Sequence, residues 1–268
     1  MERDREHNTR EQKGETGTKW TVLELDGKSD DGATFTTSPD GSLLVGGANT
    51  VADFYQLTAR SPLTTVRSVR LEVLTHEDLP HGGPGRASNG NFVLGEFWFR
   101  TGDGRELRFS KAQADHSQPK FEVGGAIDNM ADSGWAINGS PEGGPNHNRT
   151  AWFVLPAALE VEQDHALTFN LQHHKGQQPY NIGRLRLSIS SEEWVDAPSE
   201  HQLAKLVTIP HDKRGPAQRK RIDEAFLHYD KKLGPIFAEL ERVSRERDQL
   251  NSRVASTMVM HELDQPRS

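Results

Sequence analysis

The sequence predicts a mainly β protein: an antiparallel jelly-roll β-sandwich followed by a C-terminal helical arm. Two observations support this. From Trp20 to Ser190, short segments of alternating apolar and polar residues recur between turns rich in Gly, Asp, Ser and Pro. No long helical periodicity occurs before residue 190, whereas apolar residues recur at helical spacing after it. About ten short strands with this punctuation are typical of a sandwich.

Five strands are predicted before residue 76, and turn-forming residues separate them. In the fifth, TVRSVRLEVLT, the residues Val69, Leu71 and Val73 share one face, which predicts that this face is buried. The polar residues between them face the other way, as in a sheet with one solvated side. The five segments are 20–25, 33–38, 42–47, 51–59 and 65–75.

The second half of the sandwich begins with NFVLGEFWFRT, and TGDG then predicts a hairpin. Strict alternation places Glu96 on the same face as Leu94 and Trp98. Phe97 and Phe99 then line the opposite face. The strands of this half are 91–101, 105–112, 149–155, 166–172 and 180–190, and the last is expected to bury Leu185, Leu187 and Ile189.

The chain is expected to divide into four parts. After the sandwich, Ser199 and Gln202 form a capping box, and Pro216 and Pro235 each begin a helix with one apolar stripe. Such helices are expected to pack on their own domain, and a partner-binding coiled coil is the alternative. The parts are a disordered leader at 1–17, the β-sandwich at 18–192, a helical arm or linker at 193–256 and the truncated start of another domain at 257–268.

Composition excludes several function classes. Net charge is -7 with both signs interspersed, which argues against a nucleic-acid surface. The chain has no cysteine, so a disulfide framework, a thiolate zinc site, a cysteine nucleophile and c-type haem attachment are excluded. No apolar run approaches the ~20 residues of a membrane span. Mean hydropathy is -0.74, which favours a compact core with long polar loops and a solvated tail.

The glycine-rich stretch GPGRASNGNFVLGEF at 83–97 is the segment that most resembles a catalytic loop. A phosphate loop would open a helix, whose N-terminus supplies amides and dipole, but this run opens a strand. His81 and the glycines after it resemble a lipase oxyanion loop, yet the chain has no GxSxG elbow. We interpret the stretch as an inter-strand loop in which the glycines allow positive φ and Pro84 stiffens the path. Ligand contact by this loop is the alternative.

Glu96 is the notable acid because it lies within an apolar strand. A carboxylate in such surroundings needs a partner, and Arg184 or Arg186 is expected to supply it. A catalytic acid is the alternative. Glycoside hydrolysis requires a second carboxylate across a cleft, and the sequence shows no second acid of this character.

Four loops are expected to share one end of the sandwich, because antiparallel strands alternate in direction. These loops are 75–90, 113–120, 139–148 and 173–180, and together they predict a polar groove for a glycan or another polar ligand. Trp135 is a core residue or a stacking platform for sugar, and Asp78, Asp128 and Asp132 are candidate calcium ligands. The predicted ligand-binding residues are Arg86, Asn89, His116, Trp135, Asn146, His147, His174 and Tyr180.

Several segments resemble one family. DFYQLTA, VRLEVLTHEDLPHGGPGRASNGNFVLGEF, AIDN, SGWAIN and NIGRLRLSIS resemble a β-sandwich in large planctomycete multidomain proteins. Those proteins carry a cytochrome c-like domain and two family-specific domains of unknown function. The sandwich is similar to galactose-binding, discoidin-like jelly rolls. LAKLVTIPHDKR and TMVMHELDQPR resemble the linker and the first residues of the domain that follows.

The resemblance implies an exported setting, periplasmic or on the cell surface, with polysaccharide and the neighbouring domains of a longer chain as partners. It implies no catalytic residues in this sandwich, and haem only in the parent protein. The expected function is a non-catalytic, carbohydrate-binding-like module. The alternatives are a structural domain that positions its neighbours and, last, a glycan-active hydrolase that uses Glu96.

Overall fold

A computed structural model describes the fold of the first of two compact units, which span Met1–Asp196 and Ala197–Ser268. The first unit is a β-sandwich of two antiparallel sheets, which confirms the mainly β prediction. Fourteen strands are described where the sequence analysis predicted about ten. The described residues are 11–13, 18–139, 145–173, 176, 178–194, 208–215, 219, 222–223 and 243.

Sheet A has eight strands, and its central strands are long and alternate in burial. The strand β14 (Arg184–Ser190) pairs with β2 (Lys19–Val22) along one part of its edge and with β5 (Leu43–Gly47) along another, so two short strands share that edge. In order, the strands are β1 (Glu11–Lys13), β2 (Lys19–Val22), β14 (Arg184–Ser190), β7 (Thr65–Val73), β12 (Arg149–Glu160) and β10 (Lys111–Ala114), with β5 (Leu43–Gly47) beside β14 and β4 (Ala33–Thr37) beside β5.

Sheet B has six strands and forms the other layer. Two short strands pair with the same edge of β8 (Val93–Thr101). Short 3-10 turns lie in the connections at Pro80–Gly82 and Val123–Ala126. In order, the strands are β11 (Trp135–Ala136), β8 (Val93–Thr101), β13 (Ala166–His173), β6 (Phe54–Arg60) and β3 (Asp26–Ser29), with β9 (Glu106–Leu107) also beside β8.

The core between the sheets follows the predicted alternation in β7 and β14. Every residue that the sequence placed inward on these strands is fully buried: Val69, Leu71, Val73, Leu185, Leu187 and Ile189. Five phenylalanines pack at the centre with neighbouring ring centroids 4.8–6.3 Å apart: Phe97, Phe99, Phe109, Phe153 and Phe169. Replacing such a ring with alanine costs about 3–5 kcal/mol, so each member of this cluster makes a large contribution to the stability of the sandwich.

A β-bulge in β8 corrects the predicted face of Leu94. Gln172 lies opposite Glu96, but the next pair joins His173 to Leu94, so Gly95 is an extra residue in the ladder. Leu94 therefore points into the core on the same side as Phe97, whereas the sequence analysis had placed it with Glu96. Glycine at position 95 tolerates the bulge because it has no side chain. Gly134 packs against this part of β8, and a Cβ on Gly134 would collide with the β8 backbone.

The predicted helical arm at 193–256 lies largely outside the described residues, as do the leader and the segment 257–268. The bounded helical element described in the second unit is the 3-10 turn His211–Lys213. The arm, its coiled-coil alternative and the jelly-roll subtype of the sandwich stay predictions. Among the residues that the structure describes, no helix has the length and apolar character needed to span a bilayer.

Candidate functional site

Hydrogen bonds join the four predicted loops at one end of the sandwich, which we call the rim. The Ser88 hydroxyl donates to Gln178 Oε1 at 2.9 Å, and this bond joins the loop after β7 to the loop before β14. The backbone N–H of Thr75 donates to Asn148 Oδ1 at 2.8 Å. In addition, Asn91 Nδ2 lies 3.3 Å from Gln118 Oε1. The loops therefore meet as the alternation of strand direction predicted.

A fifth loop, 47–53, also belongs to the rim, and sequence reasoning missed it. The Arg86 guanidinium holds this loop by donating to the carbonyls of Gly47 at 2.8 Å and Ala48 at 2.7 Å. The buried Asn181 amide donates to Asn49 Oδ1 at 2.9 Å and to the Thr50 carbonyl at 2.7 Å. The Gly-Gly-Ala-Asn turn after β5 was the available sequence signal, because such a turn marks a loop end.

Close backbone packing explains the glycines of the loop at 83–91. A Cβ on Gly85 would lie 2.0 Å from the Asn91 carbonyl oxygen, and one on Gly83 would lie 2.5 Å from the Gly90 carbonyl oxygen. Gly82 and Gly90 have positive φ, as the sequence analysis expected, whereas Gly83 is extended. The loop thus folds onto itself, and its glycines serve packing as much as turn geometry.

A buried histidine ties the end of β13 to the rim. His173 is 1% exposed, its Nδ1 lies 2.7 Å from the Asp53 carbonyl oxygen, and its Nε2 accepts the Ile182 N–H at 3.1 Å. Because Nε2 accepts, Nδ1 must carry the proton in the neutral ring. Burial lowers the pKa of His173 to about 4. In the sequence, His173 is one of two adjacent histidines, and nothing in the pattern marks it as buried. Its neighbour His174, a predicted ligand-binding residue, lies outside the described residues.

A groove lies where Arg86 meets the turn after β7, and we call it the rim groove. It encloses about 430 Å³. Asp78 and Arg86 both line it, yet Arg86 forms no ion pair with Asp78 or with any other carboxylate of the described residues. The Asp78 side chain is 75% exposed. The other lining residues are Thr36, Leu44, Val45, Gly46, Gly47, Asn49, Leu79 and Pro80.

The groove therefore combines an apolar floor with separated polar groups. Leu79 is buried and directly precedes the 3-10 turn that begins at Pro80. A carboxylate is an acceptor, and a guanidinium is a donor with a fixed fork of five N–H groups. Asp78 Oδ2 lies 3.5 Å from His76 Nδ1, and Arg86 bonds two loop carbonyls, so each group keeps part of its hydrogen-bonding capacity for a polar ligand.

The remaining predicted rim residues have structural contacts or lie elsewhere on the rim. The Asn89 side chain accepts the Asn91 N–H at 3.1 Å, and Gln178 donates to the Tyr180 hydroxyl at 3.0 Å. Asn146 is exposed. The Nε2 atoms of His116 and His147 are buried and have no hydrogen-bond partner among the described residues. None of these residues lines the rim groove.

Trp135 is a core residue, which corrects its prediction as a ligand contact. It is 0% exposed, packs edge-on against Phe92 at 5.0 Å and donates its indole N–H to the His116 carbonyl at 3.0 Å. Its ring has no free face for a sugar. An aromatic residue in a polar, loop-rich segment has the same sequence appearance in either role, so only the tertiary contacts separate them.

The candidate calcium ligands are not gathered into a metal site. Asp78 lines the rim groove, whereas Asp128 accepts the Met130 N–H at 2.9 Å and the Ser133 hydroxyl at 2.7 Å within its own loop. Asp132 is exposed. Within the described residues, no group of three or more His, Asp or Glu side chains is placed to hold a metal ion.

Glu96 is buried on the outer side of sheet B and salt-bridged to Arg108. The residue is 8% exposed, and Arg108 Nη1 lies 3.2 Å from its Oε2. Arg108 also lies over the Trp98 ring, 4.5 Å from the centroid. The expected partners are occupied elsewhere, because Arg184 pairs with Asp40 and Arg186 with Glu72.

The pKa of Glu96 is raised by burial, and the backbone amides of Asn129 and Met130 together with Arg108 oppose the rise. Asp128 reinforces it. A buried carboxylate in an ion pair is the arrangement that the structural interpretation of Glu96 required. The charge of Asp128 reaches Glu96, but Asp128 accepts hydrogen bonds from the Met130 N–H and the Ser133 hydroxyl within its own loop. These contacts favour a packing role for Glu96.

No model of a known protein family matches this chain, and no match was found among curated proteins.

Proposed function

We propose that this chain is a non-catalytic, carbohydrate-binding-like module that takes a saccharide in the rim groove. The observation that carries the proposal is the pair Asp78 and Arg86, an acceptor and a donor that line one groove without pairing with each other. Sugar hydroxyls both donate and accept hydrogen bonds, so adjacent hydroxyls complement such a pair. The apolar atoms of Leu44, Leu79 and Pro80 provide contact for the C–H surface of the ring.

Arg86 can take part because its guanidinium carries more N–H donors than the two loop carbonyls use. These two bonds also fix the direction of the guanidinium before a ligand arrives. A pre-organised donor loses little conformational entropy on binding. In this proposal Asp78 is the adjustable contact and Arg86 the fixed one.

The resemblance to the planctomycete β-sandwich supports the setting of this function. Under the proposal the module belongs to a larger exported bacterial protein, and polysaccharide is its partner. Calcium is included in the test as a variable, because oxygen-rich loops of sandwich domains hold calcium in other proteins.

The test is a glycan array probed with the intact chain, with and without calcium, and repeated with Asp78→Ala. We expect binding to at least one glycan and a loss of about tenfold in affinity, ~1.4 kcal/mol, in the variant. Glu77→Ala is the matched control: Glu77 is an exposed neighbouring acid that does not line the groove, so its loss should leave affinity unchanged. Binding to no glycan, or equal losses in both variants, would contradict the proposal.

A second candidate is a structural domain that positions neighbouring domains of a longer chain. The observation that favours it is a tryptophan cluster on the outer side of sheet A, where Trp152 and Trp194 stack in parallel at 4.7 Å beside the buried Trp20. Trp194 ends the described part of the first unit, so this packing fixes the point from which the chain continues. Circular dichroism of residues 193–256 alone and within the intact chain would test it. Equal helicity in both would count against a structural role that depends on the sandwich.

A further inference from the structure

The chain contains two Asn-Gly pairs, Asn89–Gly90 and Asn138–Gly139. Both lie in loops of the rim, and both glycines have positive φ, 81° and 77° respectively. The two pairs therefore share sequence, location and backbone conformation at the glycine. They differ in what their reacting atoms contact.

An asparagine followed by glycine can react with its own backbone. The nitrogen of the glycine attacks the side-chain carbonyl carbon, Cγ, of the asparagine, and glycine has no side chain to obstruct the approach. As in other intramolecular reactions, the rate depends on how often the two atoms come into contact in a reactive geometry. Hydrogen bonds that hold either group elsewhere suppress the attack.

Both reacting groups of Asn89–Gly90 are held elsewhere. The Gly90 N–H donates to the Ala87 carbonyl at 2.8 Å, and Asn89 Oδ1 accepts the Asn91 N–H at 3.1 Å. The position is also crowded, because a Cβ on Gly90 would lie 2.6 Å from the Pro80 carbonyl oxygen. The folded loop therefore keeps nucleophile and electrophile apart.

The reacting groups of Asn138–Gly139 face each other. The Gly139 N–H donates to Asn138 Oδ1 at 3.0 Å, so this hydrogen bond holds the nitrogen beside the side-chain carbonyl group that it would attack. Gly139 is exposed, and no described atom lies within 4 Å of the position that a Cβ would take there. To bring the nitrogen onto Cγ, the Asn138 side chain rotates and this one hydrogen bond between adjacent residues breaks.

We propose that Asn138 is a site of spontaneous covalent modification in the folded protein, and that the fold protects Asn89. The Gly139 nitrogen loses its proton and forms a bond to Asn138 Cγ, and the Cγ–N bond of the amide breaks to release ammonia. Water then opens the resulting succinimide at either carbonyl and leaves aspartate or isoaspartate. The reaction adds one negative charge to the rim loop, and its rate rises with pH because the nitrogen must be deprotonated.

The test is incubation of the intact chain in mildly alkaline buffer, with peptide mapping by mass spectrometry at intervals. We expect modification at Asn138 to be at least several-fold faster than at Asn89. A parallel incubation in denaturant is the control, since two Asn-Gly pairs freed from the fold should react at similar rates. Asn138→Gln should remove the acidic variant that appears on ion exchange.

Equal rates at the two asparagines in the folded chain would overturn the proposal, and so would faster reaction at Asn89 or no reaction at either site. A rate difference that persists unchanged in denaturant would also overturn it, because the difference would then come from local sequence and not from the folded loops.

Discussion

The two sides of the rim use the same kinds of residue for opposite purposes. On the braced side, Arg86, Asn181 and His173 direct their polar atoms at backbone groups of neighbouring loops. On the groove side, the Asp78 side chain is largely exposed, and Thr36 lines the rim groove. A polar side chain that bonds backbone groups stabilises the fold, whereas one that faces solvent is available to a ligand; Arg86, which also lines the groove, belongs to both sides. The comparison therefore predicts stability losses on one side and binding losses on the other.

The largest effect is expected for Arg86→Ala. The substitution leaves the Gly47 and Ala48 carbonyls without their charge-assisted bonds, each worth about 1.5–3 kcal/mol before allowance for partial exposure. Because both carbonyls are solvent-exposed and can bond water instead, we expect a loss of about 2 kcal/mol in the free energy of unfolding, measured by urea denaturation. Arg86→Lys should recover only part of it, because one ammonium does not match a two-carbonyl fork. A loss of unfolding free energy as small as that of an ordinary surface substitution would show that Arg86 does not stabilise loop 47–53.

His173 should make stability depend on pH. Its pKa of about 4 in the folded chain lies below the 6.5 of a free histidine. The unfolded chain therefore binds a proton between pH 6.5 and 4 that the folded chain does not, so stability is greatest above this window and falls as the pH decreases through it. The loss reaches about 3 kcal/mol at most.

Urea denaturation across this window should show a shallower pH dependence in His173→Gln than in the natural chain. Identical slopes in the two proteins would mean that His173 titrates normally and is not the buried, neutral brace described above.

A smaller loss is expected for Asn181→Ala. The fully buried Asn181 amide satisfies Asn49 and the Thr50 carbonyl, and removing it leaves both without that donor. We expect a loss of about 1–2 kcal/mol in the free energy of unfolding. Thermal or urea denaturation measures it. An unchanged midpoint would show that loop 47–53 is held by Arg86 alone.

The smallest effect on stability is expected for Asp78→Ala, which defines the groove side. The side chain is largely exposed, so the change should lie within about 0.5 kcal/mol, as for ordinary surface substitutions. Denaturation of the variant beside Glu77→Ala checks this. A loss of unfolding free energy as large as that of Asn181→Ala would show that Asp78 stabilises the fold, and would count against its role as a ligand contact.

Sequence reasoning succeeded where periodicity and strand direction decide the outcome. Alternation identified the buried faces of β7 and β14, and strand direction brought the four loops to one end. It failed for Leu94, because the extra residue at Gly95 moves the Leu94 side chain to the opposite face of the strand. The sequence does not distinguish a bulge glycine from a turn glycine.

The braces could not be predicted for a different reason. Arg86 bonds backbone carbonyls of loop 47–53, and every residue type carries the same carbonyl, so no sequence signal marks the partner. The partner of Glu96 was also missed. Arg108 directly follows β9, which pairs antiparallel with β8, so the hairpin places Arg108 beside Glu96. Arg184 and Arg186 lie on β14 in the other sheet.

The most direct test of the rim account is chemical-shift mapping of the intact chain titrated with a glycan that binds on the array. We expect the largest shifts on residues of the rim groove, at Thr36, Gly46, Asp78 and Leu79. Asp78→Ala should weaken these shifts without unfolding the chain. Shifts confined to the outer side of sheet B around Trp98 and Glu96, with the groove unchanged, would contradict the account.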